Sequence, residues 1–278
     1  MRNCRWIVLL VCALFTGCGT KFAYNNLGWF AVSYIEDFVS LSNSQESELE
    51  ERFNELQQWH KQTQLTLYIS QLEAIEKVDR STLKTEFIVD QIEQTKNHVR
   101  AVITQFSPDI YALSMQLSPE QDSEFLKNFR EKQQDYYKER LSLNDEDSRE
   151  RYRNRIEERL ERWLGSVSKE QKQIIFTWSQ EWVNTNDSWR QYQNNTYQDL
   201  TTLMEKKSDL HIAQPIIMNL LLNNEAYYPD ELESKLNKNM QTSAKFLVDI
   251  AAISSDKQWS YFMNELESLK STLVTLQE

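Results

Sequence analysis

The sequence predicts an all-α fold, an antiparallel bundle of many helices joined by short connections. Three observations predict it. Apolar residues recur three and four positions apart along most of the chain, and no period-two run competes. Glycine and proline, the usual punctuation of turns and hairpins, number only four each in 278 residues. One helix-start pattern, serine followed three residues later by glutamine, recurs along the chain.

Tyr24, Leu27, Ala31, Tyr34, Ile35 and Phe38 fall at helical spacing and mark a first helix. A second begins near Ser42 and carries Leu49, Phe53, Leu56, Trp59, Tyr68, Leu72 and Ile75. A third carries Leu83, Phe87, Ile92, Val99, Val102 and Phe106, and a turn is expected at Ser107-Pro108 with a short helix after it. The next, with Phe125, Phe129 and Tyr136, ends near Leu143, where Asn144-Asp145-Glu146-Asp147 offers caps. Its successor stops at Gly165, a residue suited to the left-handed position past a helix end. Another starts at Ser168, carries Ile174, Ile175, Trp178, Trp182 and Trp189, and is expected to run on, bent, to Met204. Lys206 to Pro215 reads as a loop or hinge, followed by a short apolar helix around Ile216–Leu222 and a longer one from Pro229 to about Ile253. All four prolines (Pro108, Pro119, Pro215 and Pro229) are expected just ahead of helices, where a missing N–H does no harm. The last helix carries Trp259, Phe262, Leu266, Leu269, Leu273 and Leu276, an a/d seam. Barely three heptads long, it favours closing an intramolecular bundle over self-association of two copies. A single helical domain is expected over residues 18–278, with a sub-boundary near 206–215.

The N-terminus has a different character. Arg2 and Arg5 precede an apolar run from Trp6 to Phe15, then Thr16-Gly17-Cys18. That order is a signal peptide, and ten apolar residues are too few to span a bilayer, which takes about 20. Leu14-Phe15-Thr16-Gly17-Cys18 resembles the lipobox of bacterial lipoproteins, with Phe15 where Leu is usual. The resemblance implies cleavage after residue 17, lipid on the Cys18 sulfur, and, with Gly19 in place of Asp, the periplasmic side of the outer membrane. Cys4 and Cys12 leave with the signal segment, so the mature chain has no free thiol and no disulfide.

Composition bounds the rest. Lys and Arg number 31 against 42 Asp and Glu, net −11; loss of the two signal arginines takes the mature body to −13. Such a body repels nucleic acid and anionic lipid. Hydrophobic content of 40% and eight tryptophans supply a core. No Gly-rich phosphate loop exists, and no cofactor is expected.

Three segments share the helix-start pattern: Leu41-Ser42-Asn43-Ser44-Gln45, Leu117-Ser118-Pro119-Glu120-Gln121 and Val167-Ser168-Lys169-Glu170-Gln171. Each is a capping box behind an apolar residue, and their unequal spacing excludes a regular solenoid. Tyr24-Asn25-Asn26-Leu27, Trp59-His60 and Glu161-Arg162-Trp163-Leu164-Gly165 occur in order with the last of these. Together they resemble a proteobacterial lipoprotein family of unknown function. The resemblance implies a location and a helical fold, and no activity. The helix starts are also similar to the repeated Leu-Thr-x-x-Gln pattern of small periplasmic stress chaperones, a pattern that a capping box produces unaided.

Arg149, Arg151, Arg153, Arg155, Arg159 and Arg162 cluster in an acidic chain. Arg151, Arg155, Arg159 and Arg162 share one helical face beside the apolar stripe Tyr152, Ile156, Leu160 and Trp163. Guanidinium groups so placed suit carboxylate or phosphate on an anionic partner. The plainer reading, a salt-bridged face involving Glu157, Glu158 and Glu161, is favoured. His60, His98 and His211 lack metal-ligand spacing, so no metal site is expected and His60 is read as a core-edge residue. Glu36-Asp37 and Asp145 with Asp147 are acidic pairs without other marks of acid–base chemistry. Phe22, Tyr24, Trp29 and Phe30 crowd the anchor, and pack in the core or rest in the membrane interface. The sequence thus points to a non-enzymatic envelope protein, held to the membrane through Cys18 and binding another envelope protein. The rivals are a chaperone-like binder of unfolded periplasmic proteins and an envelope hydrolase with a pocket of carboxylates around His60.

Overall fold

The computed structural model describes residues 17–141 and 143–278; the first sixteen residues of the expected signal peptide lie outside these. The described chain is helical throughout, with no strand among the described residues. The described residues form two compact units, 17–77 with 263–278, and 78–262.

The first unit contains α1 (Gly17–Asn25), α2 (Leu27–Glu36) and α3 (Asn43–Glu76). It also contains the C-terminal part of α11 (Asp256–Gln277), whose first turns belong to the second unit. Ser42 starts α3 with a complete capping box: its hydroxyl accepts from the Gln45 N–H, and the Gln45 carbonyl accepts from the Ser42 N–H. α2 lies against α3 at Gly28, where a Cβ would sit 2.9 Å from Glu50 Cγ and 3.1 Å from the Glu50 carbonyl oxygen. Glycine is what permits that approach. Lys270 of α11 reaches Glu76 at 2.8 Å, and Gln277 Nε2 donates to Thr66 Oγ1 at 2.8 Å, fixing the end of the chain on α3. In the seam, Leu266 and Leu276 are buried while Trp259, Phe262, Leu269 and Leu273 are half-buried. Trp259 and Phe262 fall in the second unit.

The second unit holds α4 (Thr85–Met115), α5 (Pro119–Leu141), α6 (Asp145–Leu164), α7 (Lys169–Glu181), α8 (Asn186–Lys206), α9 (Leu210–Leu222), a 3-10 turn at Asn224–Tyr227, and α10 (Asp230–Ile253). α10 is the hub, packed on α4, α7 and α8. One core joins Leu160 and Leu164 of α6, Ile175 and Trp178 of α7, and Phe246 and Ile250 of α10. A second joins Leu203 of α8 to Ala213 and Ile217 of α9, with Ile110 and Tyr111 of α4 against them. Asn144 caps α6 by accepting from the Asp147 N–H at 2.8 Å, and Gly165 ends it at φ 76°.

Three expectations are corrected. α4 continues through Pro108 where a turn was expected. Proline cannot donate to the Thr104 carbonyl one turn back, and the Ser107 hydroxyl does so instead, at 3.0 Å. The helix from Ser168 stops at Glu181 and a new one begins at Asn186. Between them the Asn239 side chain accepts from the Val183 N–H and donates to the Val183 carbonyl, each at 2.8 Å. This amide supplies the bonds a continuing helix would have made, while Trp182 packs on Tyr152 at 4.2 Å. The expected loop at 206–215 shrinks to Lys207–Asp209, because Asp209 caps α9 through the His211 N–H, and Pro215 falls inside that helix. Residues 206–215 lie within the second unit.

Candidate functional site

The residues nearest the expected anchor take part in a polar arrangement that joins two helices of the first unit. Cys18 stands in the first turn of α1, and its side chain lies outside the described residues. Two residues on, Thr20 is fully buried, and Ala23 is buried a turn later. The Tyr24 hydroxyl is hydrogen-bonded to His60 Nδ1 at 3.0 Å, and His60 Nε2 to the Tyr68 hydroxyl at 3.0 Å. Gln57 Nε2 donates to the Tyr24 carbonyl. Two motifs 36 residues apart in sequence thus meet, tying the anchor-proximal helix to α3.

Burial pushes the Tyr24 phenol up to about 12, and raises the Tyr68 phenol. Burial also holds the His60 imidazole below its ordinary value. All three groups are therefore neutral near pH 7. A neutral imidazole has one donor and one acceptor nitrogen, so one tyrosine donates to His60 and the other accepts. This is the core-edge hydrogen bonding expected of His60, with Tyr24 and Tyr68 as partners that the sequence could not name.

The opposite face of α1 and α2 is bare. Phe22 is 65% exposed and Trp29 59%, the two most exposed large hydrophobic side chains among the described residues, and Tyr34 is exposed as well. Phe30 is half-buried, with its ring against Trp29 at 4.8 Å. Lys21 is the sole charged residue between Cys18 and Ile35.

The arginine cluster divides into two sets. Arg149 donates to the carbonyls of Ser179 and Gln180 at the C-terminal end of α7, where a cation complements the helix dipole. Arg153 donates to Ser179 Oγ at 3.3 Å, pairs with Glu146 at 2.8 Å, and lies over the Phe176 ring. These two arginines clamp α6 to α7, a role that became legible only once α7 ended at Glu181. In the rail itself, Arg155 and Arg159 are exposed and Arg151 and Arg162 half-buried. Arg151 and Arg155 line a shallow surface hollow with Asp147, Glu150, Asn154 and Glu158. Carboxylates are thus interleaved with guanidiniums along that face. Glu157 pairs with Lys172 of α7 at 2.5 Å.

A more enclosed hollow, about 350 Å³, lies where α6, the 182–185 connection and α10 meet, and Asp145, Arg149, Trp182, Lys235 and Lys238 are among its lining residues. His60 lines neither hollow. Among the described residues no group of three or more His, Cys, Asp or Glu is placed to hold a metal ion. No described helix is long and apolar enough to cross a membrane.

The third helix start has a second use. Gln171 is fully buried, and its carbonyl accepts from the Ser168 N–H at 2.8 Å and from Gln258 Nε2 at 2.8 Å. Gln258 belongs to another box: it accepts from the Ser255 N–H at 2.9 Å and donates to the Ser166 carbonyl at 2.9 Å. Ser255-Asp256-Lys257-Gln258 has the same spacing as the other boxes but follows a serine, so an apolar-led pattern passes over it.

These features define an all-helical, polar-clasped protein. Residues 37–233, more than half of the chain, match the family described as "Family of unknown function (DUF6279)", and the chain belongs to that family. The matched span includes Trp59-His60 and the stretch from Glu161 to Gln171, and leaves Cys18 and Tyr24 outside. No curated protein and no solved structure matches the chain.

Proposed function

We propose that this is a lipid-anchored protein of the bacterial envelope that acts by binding another envelope protein close to the membrane, without catalysis. The observation that carries the reading is the lipobox-like cysteine joined without a linker to a folded helix. α1 begins at Gly17, Thr20 is already buried, and Tyr24 is held on α3 through His60. An anchor attached this way keeps the body at the bilayer surface instead of on a tether. The polar groups around His60, and the clasps at Asn239 and Gln258, are engaged in joining helices, which leaves the exposed faces for recognition. On the second unit, α9 exposes Leu210, Ile212 and Met218, apolar side chains available to a partner. The arginine rail remains a candidate for an acidic partner segment.

The test has two arms. Mass spectrometry of the purified protein should find acyl groups on Cys18 and a chain beginning there, and Cys18→Ala should release the protein from envelope membranes. Photo-crosslinkers at Met218 and at Arg155 should then capture the same envelope protein from living cells. An unprocessed chain, or one that leaves the membrane fraction with Cys18 intact, defeats the anchor. Hydrolytic turnover by the purified protein that is lost in His60→Gln defeats the non-catalytic reading.

A further inference from the structure

We propose that Phe22 and Trp29 form a membrane-contact face that lays α1 and the start of α2 along the phospholipid surface beside the anchor. The inference rests on the lipid-anchored reading above and adds to it a second, non-covalent contact. Phe22 and Trp29 are seven residues apart, and the backbone bonds Asn26 N–H to the Phe22 carbonyl and Phe30 N–H to the Asn26 carbonyl carry the helical path past the bend between α1 and α2. Seven residues are close to two turns, so both rings project from one side. Ala23, Tyr24 and Gly28, on the other side, are taken up by the contact with α3.

The chemistry of the bare side fits a lipid surface in particular. Its large groups, Phe22 and Trp29, are aromatic, and Trp favours the headgroup region, where the ring is half in hydrocarbon and the polar edge stays wet. Lys21 is the sole charged residue from Cys18 to Ile35 in a body that is otherwise strongly acidic, and the first carboxylate after it, Glu36, stands at the far end of α2. Position is the third argument. Trp29 lies eleven residues beyond Cys18, a rise of about 17 Å if helical, so acyl chains on that sulfur hold the aromatic face within reach of the same leaflet. The segment is too short and too tightly held on α3 to span, so it lies in the plane of the surface.

The mature chain makes the test clean, because Cys18 is its one cysteine and its sulfur would be acylated. Trp29→Cys therefore gives a single free thiol for an environment-sensitive fluorophore, and Leu67→Cys, an exposed position on α3, gives the reference. The acylated full-length proteins are reconstituted in phosphatidylethanolamine/phosphatidylglycerol vesicles. The label at 29 should shift its emission to the blue and lose at least threefold in iodide quenching relative to detergent solution, while the label at 67 stays unchanged. Equal quenching at 29 and 67 in vesicle-bound, acylated protein overturns the membrane-contact face and leaves the anchor standing. Protection at 29 that persists in detergent and grows with protein concentration assigns the face to a second copy, and also overturns it. Absence of acylation with no vesicle binding defeats the anchored reading, and this proposal with it. Since labelling replaces the tryptophan, a second measurement uses brominated phospholipid. The quenched fraction of emission should fall in Trp29→Phe by the share that Trp29 contributes.

Discussion

Gln258→Ala should destabilise the second unit far more than a helix-cap substitution ordinarily does. An exposed capping box costs about 1 kcal/mol when it is broken, and Gln45 at the start of α3 is such a case, its box lying open to solvent. Gln258 makes the same local bond, to the Ser255 N–H at 2.9 Å, and two more: to Gln171 Oε1 at 2.8 Å and to the Ser166 carbonyl at 2.9 Å. Each of these two adds about 1 kcal/mol, and the truncated side chain leaves the fully buried Gln171 amide short of partners. The expected loss is about 3 kcal/mol, roughly a hundredfold in the opening equilibrium. Native-state hydrogen exchange with mass spectrometry reads each unit through its own peptides, so Gln258→Ala and Gln45→Ala are compared on a common scale. Gln171→Ala should cost a similar amount, and the double variant should cost about 1–2 kcal/mol less than the sum of the two. If Gln258→Ala costs no more than Gln45→Ala, or the two glutamine losses add, the boxes are local caps and the clasp contributes nothing.

Gly28→Ala should destabilise the first unit by about 1 kcal/mol or more even though alanine favours helix, because the new Cβ meets Glu50 and Asn54 at 2.9–3.1 Å; limited proteolysis within α1–α2 reports it, and a neutral or stabilised variant refutes the close approach. Asn239→Asp should cost about as much as Asn239→Ala, about 2–3 kcal/mol by urea denaturation, since a carboxylate oxygen would face the Val183 carbonyl where the amide now donates; a purely volumetric role would spare the aspartate. His60 is held below its ordinary value by burial, so its unfolded state binds the proton more readily. Its contribution to stability is therefore whole above about pH 6.5 and is lost as pH falls through the lower folded value. Urea midpoints at pH 7.5 and 5.5 should differ less in His60→Gln than in the wild type, and His98, shifted the same way in the second unit, stays in both proteins and cancels.

Fold class was legible because periodicity and scarce glycine are properties of the whole chain. The breaks were harder. Pro108 reads as a stop, since nothing in the sequence shows that the neighbouring serine will take over the abandoned Thr104 carbonyl. Trp182 reads as one more apolar position of a continuing helix, since the residue that ends the helix, Asn239, lies 56 positions away. Both failures have one cause: a backbone polar group was satisfied by a side chain, locally in one case and through the tertiary fold in the other. The candidate sites show the same limit. The arginine cluster was visible as a cluster, but its division into clamping residues and an acid-interleaved rail depends on where α7 ends. Tyr24 and His60 stand in separate motifs of the sequence, and only the packing of α1 on α3 makes them partners.

Under the proposed binding function, the clasps also constrain where recognition takes place. In water a glutamine or histidine on a helix is a weak determinant of structure, but between helices an amide must find partners with near-fixed geometry. Gln171 with Gln258 and His60 with Tyr24 each specify one pairing of helices out of many that apolar stripes alone would allow, and Asn239 with Val183 fixes the connection between α7 and α8 on α10. Residues committed in this way are poor candidates for binding a changing set of ligands, because each lost bond uncouples two helices. Recognition then falls to side chains whose loss leaves the frame intact. Phe22 and Trp29 are of that kind, exposed and next to Cys18. A double substitution to serine there should leave urea stability within about 0.5 kcal/mol of the wild type. If it instead unfolds the first unit, those rings belong to the frame, and clasp and surface are not separate in this protein.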